Sequence, residues 1–133
     1  MKGYLVKISC DFEEFWRYNL VVMGSVLCGG EQAELIKYRS DVAAVGDNLV
    51  AKPQDYDEGR SRVELRSSDG VKADALTLYI YIMPHTLPAT NLVADAADFE
   101  FRVEVLHDGV RAYAHTFEVN QWSGDNIVIR VVE

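Results

Sequence analysis

Hydrophobic and polar positions alternate along most of this chain, and the period is that of a half-buried β-strand. Tyr4, Val6, Ile8 and Cys10 alternate with Leu5, Lys7 and Ser9, which predicts a first strand. Arg17–Cys28 continues as a long β-type run, with Gly24 as a bulge or a point of close approach. Ala33–Arg39 fits either a helical turn or a strand, and its β-branched and aromatic residues tilt it towards strand. Ser61–Pro84 reads as a strand, a turn at Asp69-Gly70 and a longer strand. With that two-residue turn, Val63 and Leu65 share a face with Leu76, Leu78, Ile80 and Ile82. The other register sets Glu64 against Asp74 and Arg66 against Lys72, and like charges directly opposite are unfavourable. Thr77, Tyr79, Tyr81 and Met83 then stand on the opposite face with Arg62 and Glu64. "IVIRVV" (Ile127–Val132) closes the chain as a buried strand.

The stretch "VLHDGVRAYAHTFEV" (Val105–Val119) predicts a hairpin with two readings. A two-residue turn at Asp108-Gly109 puts Phe101, Val103 and Val105 on a face with Thr116, Ala114 and Ala112. A three-residue turn including His107 sets Phe99 against Phe117, Phe101 against His115 and Val103 against Tyr113. A one-residue slip moves a whole strand to its other face. The second reading gives both strands a consistent apolar side and is preferred, with His115 near the core and His107 at the turn.

Between these runs the pattern lapses. Residues 40–60 hold a long acidic loop, with room for one short strand at Asn48–Ala51. "PHTLPATN" (Pro84–Asn91) is a second loop, broken by its prolines. The sum is an all-β chain, an antiparallel β-sandwich of about seven or eight strands with little or no helix, in a single domain over 1–133. It is compatible in architecture with C2-like, immunoglobulin-like or transthyretin-like sandwiches and shares a motif with none.

Charge narrows the partners. Thirteen Lys+Arg against 21 Asp+Glu give a net charge of −8. That disfavours nucleic acid, which is held by cationic side chains. No basic amphipathic stretch suits an anionic membrane, and no apolar run spans one. Cys10 and Cys28 are the only cysteines. If 4–11 and 17–26 pair as a hairpin, Cys10 lies opposite a residue near Tyr18 and Cys28 falls beyond reach of a disulfide. Unpaired thiols and the absence of a signal core at the N-terminus predict a cytoplasmic protein.

Candidate chemistry is thin. There is no GxSxG, HExxH, CxxC or GxxxxGK[ST], so no catalytic residue, metal or cofactor is assigned. His107, Asp108 and His115 fall at different depths of one hairpin, and His85 is a loop residue. Asp55, Asp57 and Glu58 cluster without completing a calcium loop, and Cys28 before two glycines is more simply a turn than a nucleophile. The remaining candidate binding residues are Tyr79 and Tyr81 with Arg62, and the tryptophans Trp16 and Trp122 beside turn-like segments. The leading expectation is a non-enzymatic sandwich working through protein–protein contacts or self-association, as a structural or adaptor subunit. A small-ligand or carbohydrate-binding module using exposed aromatics is the alternative. A hydrolase with a site assembled from distant residues is the third reading.

Overall fold

The computed structural model describes residues 3–40, 61–86 and 97–132. These form eight strands: β1 (Tyr4–Ser9), β2 (Tyr18–Cys28), β3 (Glu31–Arg39), β4 (Arg62–Arg66), β5 (Ala75–Pro84), β6 (Phe99–His107), β7 (Val110–Val119) and β8 (Asp125–Val132). They build two antiparallel sheets, β4-β1-β6-β7 and β3-β2-β5-β8, packed as an all-β sandwich. A 3-10 turn, Phe15–Arg17, leads from β1 to β2. Most of the acidic segment 40–60, the expected strand Asn48–Ala51, and the Asp55, Asp57 and Glu58 cluster lie outside the described residues.

Alternation sets the layers. Val6 and Ile8 of β1, Phe101, Val103 and Val105 of β6, and Leu20 and Val22 of β2 point between the sheets with Leu76, Leu78, Ile80 and Ile82 of β5. Phe12, Phe15, Tyr18 and Phe99 close one end of this core, with ring centroids 4.5–6.4 Å apart. Gly24 is a close-approach point: a Cβ there would lie 2.7 Å from Ile36 Cγ1 of the neighbouring strand. The register shift in β2 falls further on, between Val26 and Leu27.

Three expected pairings differ. β1 and β2 belong to separate sheets, so the hairpin of 4–11 with 17–26 does not form; Cys10 and Cys28 are free thiols all the same. β4 and β5 likewise lie in different sheets, so Val63 meets the β5 leucines across the core rather than beside them. The crossing is held by buried Ser67, whose N–H donates to the Tyr4 carbonyl at 2.9 Å and whose Oγ accepts from the Tyr4 N–H at 2.7 Å. Charge opposition between two registers was therefore no guide, because neither register exists.

The third difference is the β6–β7 hairpin. Asp108 and Gly109 carry φ of 52° and 81°, a two-residue turn with His107 paired to Val110. One residue later the register shifts, from Leu106↔Arg111 to Val105↔Tyr113, leaving Ala112 as a bulge. That extra residue returns Tyr113, His115 and Phe117 to the side of Val103 and Val105. The preferred face is thus the observed face, reached by a different turn, and Phe101 pairs with Phe117 rather than with His115.

Candidate functional site

The outer face of the second sheet is built by strand parity. On β5, Leu76, Leu78, Ile80 and Ile82 are buried, so Thr77, Tyr79, Tyr81 and Met83 turn outward. Cross-strand pairing extends these positions into rows over all four strands. Lys37, Met23, Tyr79 and Val128 make one row, and Arg39, Val21, Tyr81 and Asn126 the next. Leu35, Ser25, Thr77 and Arg130 make a third, and Gln32, Leu27, Ala75 and Val132 a fourth. Three strand spacings by three two-residue steps give a patch of about 14 by 20 Å, near 300 Å² in projection.

This face holds five of the six large apolar side chains that are exposed among the described residues: Leu35, Tyr79, Met83, Val128 (59% exposed) and Val132 (75%). Exposed apolar side chains gathered on one face, with polar residues among them, are a composition that contact surfaces favour. The charge of this face is as distinctive as its apolarity. The rows contain three cations, Lys37, Arg39 and Arg130, and no carboxylate. None of the three cations forms an ion pair among the described residues. In a chain of net charge −8 this face is locally positive.

The outer face of the first sheet is of another kind. Lys7 stands between Glu64 of β4 and Glu104 of β6, Arg62 pairs with Asp11, and Arg111 lies 3.2 Å from Glu104. A shallow groove of about 220 Å³ runs there, lined by Lys7, Arg62, Glu64, Arg102 and Glu104. Its charges are locally paired. Arg62 therefore sits on the sheet opposite Tyr79 and Tyr81, and the expected grouping of the three is corrected: β4 belongs to the first sheet.

Neither tryptophan is fully exposed. Trp16 is buried, and its carbonyl accepts a hydrogen bond from His85 Nε2 at 2.8 Å. Trp122 is half-buried, with its Nε1 enclosed, in the turn that Asn120 Oδ1 fixes by accepting the backbone N–H groups of Trp122 and Ser123. His85, expected as a loop residue, is a buried structural group whose Nδ1 is 2.8 Å from Thr86 Oγ1. Beside it lies buried Arg17. Its Nη2 donates to Gln121 Oε1 at 2.7 Å, and its guanidinium is 5.6 Å and 5.4 Å from the centroids of Phe12 and Tyr18.

The other two histidines also change places. His107, expected at the turn, is buried and stacks on Tyr4 with centroids 4.1 Å apart. His115, expected near the core, is exposed and meets Phe117 edge-on at 4.5 Å, because β7 is an edge strand whose inner face is only partly covered. Burial pushes the Cys10 thiol up to about 11 and the Tyr18 hydroxyl up to about 12, and Tyr18 donates to the Gln121 carbonyl at 2.6 Å. Among the described residues no three His, Cys, Asp or Glu side chains group closely enough to hold a metal ion. No helix among them is long and apolar enough to cross a membrane.

The residues missed in the sequence are Leu35, Lys37, Arg39, Val128, Arg130 and Val132. The signal for the last three was present: in "IVIRVV" only alternate residues, Ile127, Ile129 and Val131, are buried. The expected buried strand is half-buried, since only one face of its sheet packs on the core, as the alternating burial of the internal strand β5 also shows.

Neither a family model nor a curated protein matches this chain. Among solved structures, the crystal structure of a DUF4425 family protein from Bacteroides ovatus ATCC 8483 superposes with a TM-score of 0.46 at 9% identity. The superposition covers 98% of this chain and 93% of that one. A likeness at this level carries no argument about function.

Proposed function

We propose that this chain is a protein-contact module, a structural or adaptor subunit that docks an acidic partner protein through the outer face of β3-β2-β5-β8. One observation supports the reading: among the described residues, exposed apolar side chains and cations outside any ion pair share that face with no carboxylate between them. Tyr79, Tyr81 and Met83 supply the large, adaptable side chains that interfaces favour. Lys37, Arg39 and Arg130 select the sign of the partner and steer its approach. Stacking the face on a second copy of itself would set these cations against their own kind, so an acidic partner is favoured over self-association through it.

Photo-crosslinking in the native host tests this. A benzoylphenylalanine in place of Val128 or Met83 is expected to give adducts of discrete mass, and one in place of Thr116 on the first sheet is not. Adducts from Thr116 alone, or from none of the three positions, refute the reading.

A further inference from the structure

The two sheets have four edge strands among the described residues, and three of them carry features that deter pairing. β4 is only five residues long and bears Arg62, Glu64 and Arg66. β7 is bulged at Ala112. β3 departs from register near its start and carries four charged side chains along its nine residues. β8 has none of these features. Its eight residues stay in unbroken register with β5, from Asp125↔Ile82 to Val132↔Ala75. Beyond Asp125 its one charged residue is Arg130, and five of its eight residues are Ile or Val. In an antiparallel edge strand every second residue turns both its N–H and its C=O to the side away from its neighbour.

We infer that β8 is a strand-acceptor edge, and that an extended acidic segment of the partner adds beside it as a further strand of the β3-β2-β5-β8 sheet. This rests on the docking reading for its choice of face. It also supplies area that the face lacks, because a stable complex buries about 800 Å² on each partner and the patch projects to about 300 Å². Added strands expose alternate side chains to each face. On the core side, next to Ile127, Ile129 and Val131, the segment needs apolar residues. On the outer side, next to Arg130, it needs a carboxylate. Charge decides the occupant: a second copy pairing β8 to β8 brings another Arg130 and another net −8, with no carboxylate at the outward positions of either strand.

The test uses the full chain with three short capped peptides. One alternates valine with glutamate, one alternates valine with lysine, and one is the glutamate peptide N-methylated along one edge. NMR titration is expected to show the glutamate peptide perturbing the amides of residues 125–132, and the lysine peptide binding roughly tenfold more weakly. Arg130→Glu is expected to reverse that order. Loss of binding on N-methylation supports strand addition. Equal binding of the N-methylated peptide, perturbations confined to another edge, or no titration by the glutamate peptide overturns it. Silence from crosslinkers at Val128 and Met83 would instead refute face docking, so the two failures are told apart.

Discussion

Arg17 is a guanidinium inside a β-sandwich, and replacing it separates the role of its charge from the role of its bulk. Its Nη2 bond to Gln121 Oε1 is charge-assisted, and such bonds contribute about 1.5–3 kcal/mol. The Glu14 carboxylate lies 3.3 Å from Nε but is more than a third exposed, so solvent reduces that pair to a small term. Nη1 has no hydrogen-bond partner among the described residues, a desolvation cost that persists in the folded state. Arg17→Ala removes the bond to Gln121, the contact with Phe12 and Tyr18, and the volume, for an expected loss of about 3–5 kcal/mol. Arg17→Met keeps most of the volume and removes the unsatisfied cation, for an expected loss of about 0–2 kcal/mol. Urea denaturation followed by tryptophan fluorescence reads both, because Trp16 and Trp122 sit in the same end of the fold. The comparison is valid only while the dependence on urea keeps one slope. If Arg17→Met is as unstable as Arg17→Ala, the charge itself holds this end together and the packing argument is wrong.

Other outcomes follow from the same geometry. Thiol labelling at pH 8 is expected to modify Cys28 quickly and Cys10 only as fast as the protein opens, since a pKa of about 11 leaves Cys10 with about one thiolate in a thousand; equal rates in the native state would refute this. The Cys10 thiol and Tyr18 hydroxyl are both raised in the fold from 9.0 and 10.0, so the unfolded chain ionises first. Their stabilisation is complete below pH 9 and is lost as pH rises through about 11 and 12, by roughly 3 kcal/mol at most from each. Denaturation midpoints flat from pH 8 to 11 would contradict that. Gly24→Ala drives a methyl against Ile36 Cγ1 and Leu78 Cδ2, and a loss of about 1–3 kcal/mol in thermal or urea unfolding is expected. Tyr79→Ser and Val128→Ser, on the open face, are expected to cost about 1–2 and about 1 kcal/mol through lost cross-strand contact and strand propensity, with the folded baseline in urea unfolding retained.

How far the sequence was legible depended on the range of the signal. Alternation in Tyr4–Ser9, Tyr18–Cys28 and Ala75–Pro84 revealed the strands, and the parity of Leu76–Met83 named the outward tyrosines. Strand partners were not legible, since β1 could pair with β2 on pattern alone. In the fold β1 pairs with β4 and β6 while β2 pairs with β3 and β5, and the 3-10 turn at Phe15–Arg17 carries the chain from one sheet to the other. That is why Arg62 was grouped with Tyr79. The hairpin shows a subtler limit: Asp108-Gly109 marked the turn correctly, but a bulge at Ala112 reversed the face that such a turn implies. The cationic character of the face was hidden too, because Lys37, Arg39 and Arg130 come from two distant strands and meet only through β2 and β5. A net charge of −8 spoke for the whole surface and concealed one face of the opposite sign.

The most direct test of the docking face is quantitative capture from the native host lysate by three baits. These are the wild-type chain, Tyr79→Ser/Val128→Ser on the second sheet, and Lys7→Ser/Thr116→Ser on the first. The account predicts an acidic protein retained equally by the wild type and the first-sheet variant, lost from the second-sheet variant, and released as salt is raised. Equal retention by all three baits, or loss only from the first-sheet variant, would contradict it.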